Sequence, residues 1–355
     1  MIRTAASELP EVCSRFTEAP VPSEGRFRFR FVACETGEET CLLASFPHVL
    51  GDGASVSILL DDTLRALDGR EIKEETMNVY QADQEIDLLR QMGIGSDLMS
   101  YYGKLFDGAV WPDFLTEIDD PDSRADYIGT PLNVSRADCS ALSRKFNISE
   151  TVLFAGLTVL ALSAQTGGRK VPLLVAYNGR ADYRVGDTFG FLVRPVLICP
   201  DPDATQSAAA FFGMTSRQYF EGISQQWFPA EEMCARYPGW TDHLFVYQAT
   251  DESHTLFGRN VEQEWLERED EESPEGSALP AAASEPCLKR TAARWAERQM
   301  GYEIYAEGDE LTYVVEAPPS GKVQKKLLRE IAEHVDLMCR RLAENQDVSV
   351  GELLG

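Results

Sequence analysis

At Gly53 the hydrophobic period of the chain changes from two to 3.6, and this fixes a strand-to-helix junction at that point. Upstream, Arg26-Phe27-Arg28-Phe29-Arg30-Phe31 alternates strictly, with three phenylalanines on one face of a strand and three arginines on the other. The polar Glu35-Thr36-Gly37-Glu38-Glu39 and the apolar run from Cys41 to Phe46 complete a predicted hairpin, whose second strand delivers Pro47 and His48. Downstream, Val56, Leu59, Leu60, Leu64 and Leu67 share one side of a helix, with Asp61, Asp62, Arg65 and Asp68 on the other. His48 therefore falls on a strand-to-helix connection, where a rigid sheet can present a reactive group.

Residues 82–106 read as helical but less regular, and Trp111 to Asp122 is a connection bearing Pro and Asp. A boundary between two lobes is expected there, with an N-terminal lobe over 1–118 and a C-terminal lobe over 119–355. In the second, a strand is expected around Pro131 to Val134, then a short helix after Ser135. An apolar helix from Asn147 to Gln165 follows, with Asn147 and Glu150 at capping-box spacing and Gly167-Gly168 at its end. It is apolar almost all round, which predicts burial against a sheet. Strands are expected at Val171–Tyr177 and Phe191–Ile198, joined by a polar loop, and a helix from Thr205 to Gln226. Tyr302–Tyr305 and Leu311–Glu316 read as a hairpin turning at Gly308-Asp309, and Gly321–Glu344 as a final amphipathic helix. Between them, residues 266–286 are acidic and then rich in small residues and prolines, the composition of a flexible insertion.

With 355 residues, 44% of them hydrophobic, the chain can bury a substantial core. Its 33 basic and 58 acidic side chains, a net charge of -25, repel phosphate backbones and anionic lipid, which argues against nucleic-acid and membrane partners. None of the eight cysteines forms a C-x-x-C pair, so they are expected as free thiols in a reducing cytoplasm. Met1 to Pro20 has no apolar signal region, and no stretch approaches the ~20 apolar residues of a membrane span. There is no G-x-x-x-x-G-K-[ST] loop, and His243, His254 and His334 lack ligand spacing, so neither a nucleotide nor a metal site is expected.

Pro47-His48-Val49-Leu50-Gly51-Asp52-Gly53 resembles the H-H-x-x-x-D-G signature of the condensation domains of nonribosomal peptide synthetases, which belong to the chloramphenicol-acetyltransferase-like acyltransferases. Gly179-Arg180 and Thr188-Phe189-Gly190-Phe191-Leu192-Val193 resemble two later segments of that family, and Gln225 to Glu231 is similar to a helix-ending, proline-bearing turn in it. The resemblance implies an α+β fold of two acetyltransferase-like lobes in a V with a tunnel between them. It implies amide-bond formation between a carrier-bound acyl or peptidyl thioester and an amine. Carrier proteins and neighbouring synthetase domains would be the partners, and the only cofactor would be the carriers' 4′-phosphopantetheine.

Carried over residue by residue, the resemblance makes His48 the group that positions or deprotonates the amine. Gly53 stands where a backbone N–H can approach the thioester oxygen. Asp52 becomes a structural acid, with Arg180 as its candidate partner, and Pro47, Ser55, Gly190 and Arg194 become candidates for the tunnel. Three departures accompany these matches. Pro47 replaces the first signature histidine, Arg194-Pro195 replaces Asn-Thr, and 46 residues precede Pro47, fewer than the family places there. The N-terminal lobe is accordingly expected to be abbreviated, or the chain to be a fragment. Two other functions fit the same residues: an inactive condensation-like module that docks a carrier or partner enzyme, and an acyl-CoA-dependent O-acyltransferase.

Overall fold

The junction at Gly53 is where the structure turns from strand to helix. The computed structural model describes residues 2–19, 29–37, 40–93, 95, 97–225, 228–248, 253–256, 259–262 and 297–355. It divides into two compact units. The first is built from the chain up to Gln84, from Asn178–Val193 and from a hairpin after residue 252; the second takes the rest. Unlike a single cut near residue 118, this division returns Asn178–Val193 to the N-terminal unit.

In the first unit, strands β1 (Ile2–Arg3), β2 (Arg30–Glu35) and β3 (Thr40–Ser45) form a sheet in that order. β1 runs parallel to β2, and β2 pairs antiparallel with β3 in the register Arg30 opposite Ser45. The expected strand from Arg26 is found from Arg30 onward, residues 26–28 lying outside the described residues. Helix α1 (Leu9–Glu18) lays Val12 and Phe16 against Cys34 and Leu43, on one face of the sheet. After a single 3-10 turn (His48–Leu50), helix α2 (Gly53–Leu67) begins. Helix α3 (Val79–Gln91) carries the chain out of this unit; at its start, Val79 and Ala82 join Met77, Val185 and Leu192 in a small apolar cluster.

The second unit adds helices α4 (Leu98–Leu105), α5 (Arg136–Phe146), α6 (Glu150–Gln165), α7 (Ala208–Ser224) and α8 (Ala230–Arg236). Its strands are β4 (Tyr127–Pro131), β5 (Leu173–Tyr177), β6 (Arg194–Ile198) and β7 (His243–Tyr247). The hairpin β8 (Ser253–Leu256) and β9 (Arg259–Glu262) comes next in sequence. β10 (Met300–Glu307), β11 (Glu310–Glu316), α9 (Lys325–Glu344) and α10 (Val350–Leu354) close the chain. A six-stranded mixed sheet runs in the order β4-β11-β10-β7-β5-β6, parallel only at β5–β7 and β7–β10. The main core, fed by α6, α7 and α9, takes Leu173 and Val175 from β5, while Leu174 joins a second cluster with Tyr102, Phe106 and Trp240. Burial on both faces is why β5 reads as a continuous apolar run rather than an alternating one.

α6 is buried from Val152 to Ser163, as its unbroken apolar surface predicts. Its start differs from expectation. Asn147 does not cap it: Asn147 ends α5 in the left-handed conformation (φ 54°), which asparagine tolerates, and Ser149 caps α6 by accepting from the Val152 N–H. Glu150 is drawn away instead to the hydroxyls of Ser140 and Tyr247. The strand expected at Pro131–Val134 ends at Pro131, because the Asn133 N–H leaves the ladder for the Asp336 carboxylate. β6 starts at Arg194 rather than Phe191, since the Leu192 N–H donates to Asp52. The final helix starts at Lys325, after Gly321 at φ +62°. None of the seven described cysteines forms a disulfide. No single described helix is long and apolar enough to cross a membrane. The acidic insertion at 266–286 and Trp227 lie outside the described residues.

Candidate active site

The change of period around Gly53 places one carboxylate at a helix start. Asp52 is the N-cap of α2: its Oδ1 accepts from the Ser55 N–H at 3.0 Å and from the Ser55 hydroxyl at 2.9 Å. Its other oxygen, Oδ2, accepts from Arg180 Nη1 at 2.7 Å and from the Leu192 N–H at 3.0 Å. Both side chains of the Asp52–Arg180 ion pair are buried, 2% and 6% exposed. A buried pair is best tolerated when its remaining donors and acceptors are satisfied. Here Arg180 Nη1 also donates to the Asn178 carbonyl and Nη2 to those of Thr188 and Gly190, while the buried Nε has no partner among the described residues. Burial, the largest single influence on the Asp52 carboxyl, pushes its pKa up. The hydrogen bonds from Arg180, Leu192 and Ser55 together outweigh it and hold the group below the usual carboxylate range.

Ser55 is fully buried beneath this pair. Its oxygen accepts from the Gly190 N–H at 3.1 Å, and its single proton has two acceptors at 2.9 Å, Asp52 Oδ1 and the Gly190 carbonyl. Two glycines flank this network, and at the first no other residue fits. Gly179 has φ +71°, and a Cβ there would stand 1.7 Å from the Leu192 carbonyl oxygen, so the turn that aims Arg180 admits no side chain. At Gly51 a Cβ would lie 3.0–3.1 Å from Ser55, Phe189 and Phe46. The loop is anchored further by Thr188, whose hydroxyl donates to the Met77 carbonyl, and by the Phe189 N–H on Glu75 at 2.8 Å.

His48 opens the 3-10 turn after β3. Pro47, at φ -60°, precedes it and accepts the Leu50 N–H at 2.9 Å. The His48 imidazole is exposed, and among the described residues no hydrogen bond reaches its ring; its neighbour is Phe191, with ring centroids 5.6 Å apart at 66°. Gly53 is exposed at the first position of α2, with nothing within 4 Å of where a Cβ would stand. Its N–H is among those a helix start leaves unpaired.

The structure thus brings Asp52, Ser55, Arg180 and Gly190 into one buried network, with His48 and Gly53 exposed on the segments at its edge. Arg194 belongs to the second unit, where it opens β6 opposite Tyr177. Sequence reasoning overlooked the Leu192 N–H and the ring of Phe191. The first has no side-chain signature, whereas Phe191 stands inside the segment 188–193, where its residue type alone does not say what its ring faces. The Asn178-Gly179 dipeptide was the available signal for the turn before Arg180.

The first condensation domain of the CDA synthetase is similar to 99% of this chain, with TM-score 0.64 and 14% identity, over 76% of that chain. The condensation domain of the Monacolin K polyketide synthase MokA matches 98% of it, with TM-score 0.68 and 12% identity, over 80% of that chain. The X-domain from teicoplanin biosynthesis matches 98%, with TM-score 0.66 and 12% identity, over 79% of that chain. No family model matches the sequence, and no curated protein does. The chain has the condensation-domain fold, a mixed α and β architecture.

Proposed function

We propose that the chain is a condensation-type acyltransferase that joins a carrier-bound acyl or peptidyl thioester to an amine. The observation that carries this reading is the contrast at the signature. Asp52 is locked in a buried structural network, while His48, four residues earlier, is exposed with its ring nitrogens unpaired among the described residues. A histidine serving structure would be the one paired; this one is left for a substrate.

In the reaction, the amine nitrogen attacks the thioester carbonyl carbon and its surplus proton passes to the His48 imidazole. The oxyanion that forms accepts from the Gly53 N–H. The C–S bond then breaks, and the departing thiolate takes the proton back, leaving an amide, a free pantetheine thiol and neutral His48. A free amine is already a good nucleophile, so holding the two tethered reactants together supplies much of the rate. Carrier proteins bearing 4′-phosphopantetheine are the partners in this scheme, and the cytoplasm is its setting. Pro47, Ser55 and Gly190 are proposed as supporting residues: Ser55 and Gly190 through the network, and Pro47 by fixing the entry to the turn.

The test is amide formation from loaded donor and acceptor carriers, comparing the parent chain with His48→Ala. Product from the parent and at least a tenfold loss in the variant are expected; equal product from both removes His48 from the chemistry. A second reading, a non-catalytic docking module, is favoured by Pro47 at the first signature position and by the similarity to an X-domain whose structure was solved in complex with OxyB. No product from the parent, together with saturable binding of a carrier protein, selects that reading.

A further inference from the structure

A catalytic imidazole is commonly oriented by a carboxylate on its far nitrogen, and the carboxylate nearest to His48 in sequence is not available for it. Both oxygens of Asp52 are taken, Oδ1 by Ser55 and Oδ2 by Arg180 and the Leu192 N–H. An exposed imidazole with no oriented partner samples several rotamers. What stands against it is the ring of Phe191, at 5.6 Å and 66°, within the tilted edge-to-face geometry that aromatic pairs prefer.

Phe191 itself is 45% exposed and belongs to none of the apolar clusters, so burial does not hold it. Its backbone does. On one side the Gly190 N–H donates to Ser55 Oγ and the Gly190 carbonyl accepts from Arg180 Nη2; on the other the Leu192 N–H donates to Asp52 Oδ2. The buried network therefore clamps the residues flanking Phe191, and an exposed phenylalanine is left facing the histidine.

We propose that Phe191 is the positioning residue of His48, its ring selecting the imidazole rotamer that the Asp52 carboxylate leaves undetermined. The inference rests on the reading of His48 as the group that handles the amine proton. Phe191 touches no reacting atom in it, so its removal lowers turnover and leaves carrier binding alone.

The experiment compares Phe191→Leu and Phe191→Tyr with the parent chain by two readouts. In ring-proton NMR, with His48 assigned by its loss in His48→Ala, the parent shows His48 resonances displaced by the neighbouring ring current. Phe191→Leu moves them toward free-imidazole positions, and Phe191→Tyr keeps them in place. In the amide-forming assay, Phe191→Leu lowers kcat by about two- to tenfold, the range of an aromatic pair, with KM for both carriers unchanged, and Phe191→Tyr restores it. His48 resonances unmoved in a Phe191→Leu chain of parental Tm would overturn the proposal, as would an unchanged kcat. If the parent chain makes no amide, the proposed reaction fails, and the ring resonances alone decide whether Phe191 orients the histidine.

Discussion

Arg180 Nη1 stands 2.7 Å from Asp52 Oδ2, and the two side chains lie 128 residues apart in sequence. Removing one partner of such a buried pair leaves the other charged, buried and uncompensated. Arg180→Ala is expected to destabilise the chain by about 3–5 kcal/mol, read as a lower urea midpoint. Arg180→Lys, a point charge without the guanidinium fork, recovers only part of that loss, because it cannot reach the carboxylate and the Thr188 and Gly190 carbonyls together. A fully stable Arg180→Ala would show that the network does not hold the loop.

Two glycines near the site should respond in opposite ways to the same change. Gly179→Ala drives a methyl to 1.7 Å from the Leu192 carbonyl at a positive φ, and a loss of about 3 kcal/mol or more is expected. Gly53→Ala meets nothing within 4 Å and should stay within about 1 kcal/mol of the parent. Because its methyl would stand where the thioester oxygen is proposed to approach, Gly53→Ala should keep its Tm and lose acyl transfer. Thermal unfolding and the carrier assay, run on the same two proteins, separate these effects.

The pH dependence of stability should carry the mark of His243. Its Nδ1 faces the Tyr302 hydroxyl at 2.9 Å and its Nε2 faces the Pro112 carbonyl at 3.2 Å, so the neutral ring donates from Nε2 and accepts at Nδ1. Burial lowers its pKa from 6.5 to about 4, against the upward pull of Pro112 and Asp113. As pH falls, the unfolded chain takes up this proton first, so stability is full above pH 6.5 and is lost between there and about pH 4. The loss amounts to about 3 kcal/mol. Asp52, whose carboxyl is held low in the folded chain, adds its own loss only at more acid pH, as it is protonated. Urea midpoints between pH 7 and pH 4 should therefore slope downward in the parent. His243→Gln, which cannot titrate, should flatten that slope while lowering the midpoint at pH 7.

The start of α6 offers a direct contrast between two polar residues, Asn147 and Ser149, on either side of Ile148. Ser149→Ala removes the cap on Val152 and should destabilise by about 1 kcal/mol. Asn147→Gly keeps the left-handed conformation that ends α5 and should be neutral within a few tenths of a kcal/mol. Matching losses from the two would mean that Asn147 also serves α6.

That contrast shows what local pattern makes legible. The strand-to-helix change at Gly53 and the burial of α6 follow from hydrophobic period, which each segment carries within itself. Asn147 misled because asparagine suits a helix start and a left-handed helix end equally, and Ser149, two residues on, was the better cap. The pairing of Asp52 with Arg180 came from family likeness, since no spacing rule connects residues so far apart. The Leu192 N–H was beyond any reading by residue type, because every residue but proline carries the same donor. Phe191 was visible as a letter but not as a contact, since whether an aromatic residue packs inward or faces a histidine depends on the backbone that carries it.

The route of the chain between β5 and β6 bears on the order in which the protein can be made. Those strands are antiparallel neighbours in the second unit, yet the segment joining them, Asn178–Val193, is part of the first and closes hydrogen bonds spanning up to 140 residues. A nascent chain that has emerged only as far as Tyr177 contains His48, Asp52 and the whole of α2, but neither Arg180 nor the backbone that clamps Asp52. Contacts so distant in sequence are closed late and at the expense of much chain entropy. The N-terminal unit must accordingly wait, with the Asp52 carboxylate still in water, until the middle of the second unit has left the ribosome, and cutting the gene after Gln84 would sever the site from its own support.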